Sequence, residues 1–171
     1  MQELKSKKAS ALTIAIIMIP VVLILTGLVI DGGMVFVKKA KLQSIADSAA
    51  NAGLSMIGDE IVDIVNAKLA ANPDYEAPED ILDALDDTDR AALAASASPK
   101  NKAEEYIILN NTNDFEFSTQ DIEFPYNYSP GDSNISIRID LSSVHELYFS
   151  PMLGIETQEL SAESISLIGI Q

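Results

Sequence analysis

The stretch ASALTIAIIMIPVVLILTGLVI, residues 9–30, decides how the rest of the chain is read. It runs for 22 residues without a charge, and 17 of them are apolar. As a helix rising about 1.5 Å per residue it spans roughly 33 Å, enough for a hydrocarbon core of about 30 Å. Its many β-branched residues would favour a strand in water. In lipid, a helix is the structure that satisfies every backbone group within one segment. A core helix of a soluble protein usually stops nearer 10–14 apolar residues, as does a secretory signal. Lys5, Lys7 and Lys8 provide a basic flank, but no A-x-A-like cleavage site follows the run. The expectation is a retained membrane anchor, kinked at Pro20, where a backbone donor is missing.

Charge is divided unequally on either side of this region. Residues 1–41 hold six lysines against Glu3 and Asp31, a net of +4; residues 42–171 hold five basic and 24 acidic side chains, a net of −19. The formal charge of the 171-residue chain is −15, which excludes a general nucleic-acid binder because phosphates are repelled. Cysteine is absent, so disulfides, thiolate metal sites and thiol nucleophiles are excluded. Lysines stand on both sides of the span, with Lys38, Lys39 and Lys41 following it. The positive-inside rule is therefore nearly balanced, while a long C-terminal segment can cross regardless of charge. The expected topology is a basic cytoplasmic tail (1–8), a transmembrane helix (9–30) flanked by Lys5, Lys7, Lys8 and Asp31, and a large body outside. The later lysines would contact headgroups.

Beyond Asp31-Gly32-Gly33 the pattern stays helical, giving a juxtamembrane amphipathic helix over 31–70. Leu42, Ile45, Ala49, Ala52 and Met56 recur at spacings of 3 and 4, beside a row formed by Ala46, Ala50, Gly53 and Ile57. Gln43, Ser44, Asp47, Ser48, Asn51 and Ser55 form the opposite polar face. Small residues four apart let another backbone approach closely. The helix-packing residues Pro20, Leu42, Ile45, Ala46, Ala49, Ala50 and Gly53 therefore pack either on the chain's own domain or on another subunit.

The segment from Thr13 to Gly58 resembles the N-terminal region of TadE/TadG-like proteins of the Flp (tight-adherence) pilus system. The resemblance rests on Pro20 inside the apolar span, Asp31 at its end, Phe36, the basic run Lys38 to Lys41, Leu42-Gln43, and the signature Ile45-Ala46-Asp47-Ser48-Ala49-Ala50-Asn51-Ala52-Gly53. Prepilin-peptidase substrates usually carry a Gly before the cleavage point and a Glu shortly after it. Here no Gly precedes the span, and Thr13 stands where that acid would be. The resemblance thus implies an unprocessed, TadG-like, membrane-anchored component.

In the acidic remainder, Asn72-Pro73-Asp74 and Ala77-Pro78 break the long helix. Pro78 suits a first helical position, for a helix reaching Ser96. Ser98-Pro99 opens another, with Ser98 as cap, running to about Asn110. Asp83, Asp86, Asp87 and Asp89 form a weak candidate calcium cluster, but they lack EF-hand spacing, and a solvated acidic helix face is the plainer reading. After Asn113 the period changes to two. Phe115, Phe117, Ile122 and Phe124 alternate with polar residues, and Ser129-Pro130-Gly131-Asp132 makes a turn. Ile135, Ile137, Ile139 and Leu141 then form the clearest strand. Val144 to Leu153 reads as a mixed apolar connection, and Gln158 to Ile168 as a last strand. The Leu153-Gly154 pair and the run Leu160-Ser161-Ala162-Glu163-Ser164 fit the C-terminal pattern of TadG-like proteins, a resemblance that implies strand, aromatic-rich connection, strand.

The expected fold is α+β: a long N-terminal transmembrane helix continuing into an amphipathic helix, then a small helical region and a short antiparallel sheet. In it, the 78–110 helices cover two or three strands within an acidic extracytoplasmic domain, 71–171. No nucleophile elbow, P-loop or zinc signature occurs, and the lone histidine, His145, reads as a packed or surface residue. The implied function is non-enzymatic, with no cofactor, small-molecule substrate or nucleic acid. The protein would sit in the bacterial inner membrane as a minor-pilin-like or anchoring component of the Flp apparatus. Its partners would be membrane lipid and, through the N-terminal helix, other pilus or pseudopilus subunits. The alternative is a stand-alone tethered binding domain with no filament role.

Overall fold

Helix α1 occupies Gln2–Ala71, 70 residues. The structure is a computed structural model; it describes residues 2–71, 85–112, 114–129, 132 and 134–169, with side chains described from residue 14 onward. Helix α1 passes through Pro20 and continues on both sides of it. Two hydroxyls along it are satisfied within the helix, Thr26 Oγ1 donating to the carbonyl of Val22 at 2.8 Å and Ser48 Oγ to that of Ser44 at 2.7 Å. Such back-bonding lets polar residues sit in a helix without seeking outside partners.

Two further helices are described. Helix α2, Asp87–Ala94, starts at a capping box: Asp86 Oδ1 accepts from the N–H groups of Thr88 and Asp89, and Asp89 Oδ2 accepts from the N–H of Asp86. The helix expected over 78–96 thus begins at Asp87 as far as it is described, since 72–84 lie outside the described residues. Helix α3 is Ser98–Asn111, with Pro99 in its first turn. Ser98 is not its cap: Ala97 holds that position, and the Ser98 N–H donates to Ser96 Oγ at 3.2 Å. The helix closes at Thr112 in the left-handed region, φ 38°. Asn111 braces the exit by pairing with both the N–H and the carbonyl of Phe115, each at 3.0 Å.

Three strands form one sheet in the order β1 (Phe117–Glu123), β2 (Asn134–Glu146), β3 (Thr157–Gly169). Strands β1 and β2 are antiparallel, pairing Thr119 with Ser142 and Glu123 with Arg138. The register shifts between Phe117 and Thr119, beside the one place where β2 buries neighbouring serines. There Ser142 shares a hydroxyl contact with Ser118 at 3.0 Å, and Ser143 Oγ donates to the carbonyl of Glu116 at 2.8 Å. Of the turn expected at 129–132, Pro130 and Gly131 lie outside the described residues; Ser129 and Asp132 are joined by two hydrogen bonds. The mixed connection expected from Val144 is part strand, since β2 runs on to Glu146. A short 3₁₀ turn, Ser150–Leu153, follows.

By packing, the chain divides into two compact units, residues 1–38 with 144–160, and residues 39–143 with 161–171. In the second unit the core lies between α1 and the sheet. Ile135, Ile137, Ile139 and Leu141 are all fully buried, as are Leu42, Ala46, Ala49, Ala50 and Ile57 from α1. Helix α3 adds Ala103 and Ile107. The 78–110 region was expected to cover the sheet, but α1 itself supplies a large share of the cover. Its small side chains let the isoleucines of β2 approach.

Candidate functional site

In the first unit the chemistry gathers around Asp31. This residue follows the apolar run directly, yet it is only 3% exposed. Its carboxylate accepts four hydrogen bonds, all from one short segment. They come from the N–H of Tyr148 (3.0 Å), the N–H of Phe149 (3.0 Å), the N–H of Ser150 (2.6 Å) and the Ser150 hydroxyl (2.6 Å). The 3₁₀ turn that starts at Ser150 has no side-chain cap of its own. Asp31 therefore plays, from the distant helix, the role a local Asp or Ser plays at an ordinary helix start. Burial pushes the Asp31 carboxyl up, but the Ser150 hydroxyl and the three backbone N–H groups outweigh it and hold the group down at about 2.

Gly27, one turn earlier, makes this approach possible. A Cβ there would stand 2.6 Å from Phe149 Cβ and 2.7 Å from Phe149 Cγ. Leu28, Asp31, Gly32, Val35, Leu147 and Ser150 line a shallow hollow at the same place. His145 is 8% exposed, with Nε2 lacking a hydrogen-bond partner among the described residues. Burial and then Lys38 push its imidazole below the ordinary value, against Asp31 and Glu146. It is a packed residue, as its surroundings suggested.

In the second unit, the expected helix-packing row is placed inside the chain's own core. Leu42, Ile45, Ala46, Ala49 and Ala50 are 0–2% exposed. A Cβ on Gly53 would meet Ile137 Cδ1 at 2.7 Å, the Pro99 carbonyl at 2.9 Å and Ala103 Cβ at 3.4 Å. Of the two partners the sequence left open for this row, the chain's own sheet and α3 are the ones that lie against it. Pro20 stands apart, exposed on α1. Asp47, of the family signature, lies on the exposed face and accepts from Gln43 Nε2 at 2.9 Å. Gln43 Nε2 also donates to the Glu163 carbonyl at 2.8 Å, and Ser166 Oγ to Asn51 Oδ1 at 2.9 Å, so the polar edge of α1 is stitched to β3.

The other singled-out residues are distributed as follows. The side chains of Lys5, Lys7 and Lys8 lie outside the described residues, as does Asp83. Lys41, expected at headgroups, is ion-paired with Asp114. Asp86 and Asp89 serve the capping box and pair with Lys68. Asp87 lies in the first turn of α2, where a negative charge suits the helix N-terminus. Among the described residues no three acidic or histidine side chains converge as metal ligands would. The sequence missed the whole partner set of Asp31. The one usable signal was Ser150-Pro151, a helix-start pair with no acid of its own beside it.

Comparison with known proteins bears on the N-terminal part. Residues 9–58 match the model of the Tad family, the TadE/G-like proteins of Flp pilus assembly. This stretch holds the apolar run, Asp31 and the small-residue row, the same segment whose residues carried the resemblance. Over these residues, under a third of the chain, the protein is similar to the TadE/G-like family of Flp pilus assembly. No curated protein and no solved structure matches the chain.

Proposed function

We propose that the chain is a non-enzymatic, single-pass membrane component of a Tad/Flp-type pilus assembly apparatus, minor-pilin-like or an envelope anchor. It is held in the bacterial inner membrane, with residues 42–171 outside the cytoplasm. One observation carries this reading: the apolar helix matched to the family is left largely uncovered by its own chain. Ile16, Ile17, Leu23 and Val29 are 62, 62, 64 and 75% exposed. An apolar surface that wide on a helix needs lipid or another apolar helix around it. Membrane lipid is the first cover and the apolar helix of another pilus subunit the second. With its row from Leu42 to Gly53 committed to the core, assembly contacts fall to residues 14–30 and to the acidic outer surface.

Deleting the gene in the source bacterium tests the reading. Surface Flp pili, counted by electron microscopy, should be lost and should return with the full-length gene. Cross-linking in intact cells should capture other pilus components. Normal piliation together with no such capture overturns the proposal in favour of a tethered binding domain.

A further inference from the structure

Between Glu146 and Glu156 lies LYFSPMLGI, nine residues without a charge in a strongly acidic region. Four of its side chains are half or more exposed, Tyr148 at 69%, Met152 at 74%, Leu153 at 50% and Ile155 at 51%, the last also at the edge of the hollow beside Asp31. Packed against the chain's own helix in the middle of this group is Phe149, which meets Gly27 within the apolar run. Gly27 stands four residues before Asp31, about 6 Å deeper along a helix axis. Whatever surrounds the helix at Gly27 therefore surrounds this segment too.

Most of its backbone N–H groups have partners within the protein. Leu147 N–H donates to the Glu156 carbonyl at 2.9 Å. Those of Tyr148, Phe149 and Ser150 go to Asp31, and Pro151 has no N–H. Met152 donates to Phe149, Gly154 to Pro151 and Ile155 to Ser150, at 3.1, 3.0 and 3.2 Å. Irregular backbone tolerates membrane depth only when such groups are satisfied within the protein. Apolar and aromatic side chains on a charge-free tip are what an interfacial contact presents to headgroups and upper acyl chains.

We infer that residues 147–155 form a second membrane contact, seated in the outer leaflet beside the span, with Tyr148, Met152, Leu153 and Ile155 in lipid and Asp31 pinning the segment to the helix. This rests on reading residues 9–30 as membrane-spanning. The occupant is lipid, because the tip continues the lipid-facing surface of the same helix at the same depth.

The cysteine-free chain suits site-specific labelling. Full-length Met152→Cys, Val22→Cys and Asn101→Cys variants would each carry one environment-sensitive fluorophore. Each would be reconstituted as single copies in phosphatidylcholine nanodiscs, with a doxyl quencher near the carboxyl end of the acyl chain. Aqueous iodide would be the opposing quencher. The expected result is that the Met152 probe follows Val22, quenched by doxyl lipid and shielded from iodide, while Asn101 shows the reverse. A Met152 probe reached by iodide and untouched by doxyl lipid, with Val22 still in lipid, overturns the inference and leaves the span intact. Protection from both quenchers would put protein over the tip and overturns it equally. A Val22 probe untouched by doxyl lipid removes the membrane reading itself, and the second contact with it.

Discussion

Ser150 donates to Asp31 Oδ2 twice, from its hydroxyl and from its backbone N–H, each at 2.6 Å and across 119 positions of sequence. Asp31→Asn keeps the size of the side chain but turns one acceptor oxygen into a donor facing N–H groups. The amides of Tyr148, Phe149 and Ser150 should then lose hydrogen-exchange protection, while those of Ile135 to Leu141 keep theirs. Ser150→Ala removes one bond of four and should cost visibly less. Equal protection in wild type and Asp31→Asn would show that the carboxylate does not hold the segment.

The same contact should depend on acid. The folded-state value of Asp31 is depressed from 3.8 to about 2. A depressed carboxylate adds stability that is present above its ordinary value and is lost as pH falls through the folded value. The loss should therefore fall between pH 3.8 and about 2. The carboxyl carbon shift of Asp31, followed by NMR in micelles, should titrate with its midpoint at the lower end of that window. A midpoint at 3.8 would contradict the four-bond geometry.

Gly27→Leu should separate Phe149 from the helix, because its Cβ alone would overlap the ring carbons. The expected readout is faster exchange at residues 147–155 with unchanged exchange in α3.

Gly53→Leu should destabilise the second unit by about 1–3 kcal/mol or more, the range for overpacking a tight contact. Ile137→Ala, on the facing side, should cost about 2–5 kcal/mol as a cavity. Gly58, with no described residue within 4 Å of an added Cβ, gives the contrast: Gly58→Ala should stabilise the helix by about 0.5–1 kcal/mol. Thermal melts of the full-length proteins in detergent would check all three.

Among the described residues, Asp47→Ala touches an exposed pair with Gln43. Its effect on folding should stay within about 0.5 kcal/mol. A loss of pilus-component cross-linking in a normally folded Asp47→Ala protein would mark that face of α1 as a subunit contact.

What could be read from the sequence was whatever depends on neighbours along the chain. Residues 9–30 declare, by length and lack of charge, a helix able to cross a membrane. Leu42 to Ile57 declare a helix face by spacing, and Ile135 to Leu141 declare a strand by alternation. These periods follow from backbone geometry, so one sequence suffices. Partnership is different. The small-residue row from Ala46 to Gly53 fits a foreign helix or the chain's own sheet equally well. Only the arrival of Ile137, Pro99 and Ala103 at Gly53 chooses between them. The aspartates near position 86 read as a solvated face or a metal site, and the fold instead uses Asp86 and Asp89 in one capping box paired with Lys68. Asp31 looked like punctuation at the end of a membrane span. Its donors lie 117 to 119 residues away, and a hydrogen bond leaves no periodic trace in sequence, so the tertiary fold alone turned that aspartate into the residue that holds a distant loop.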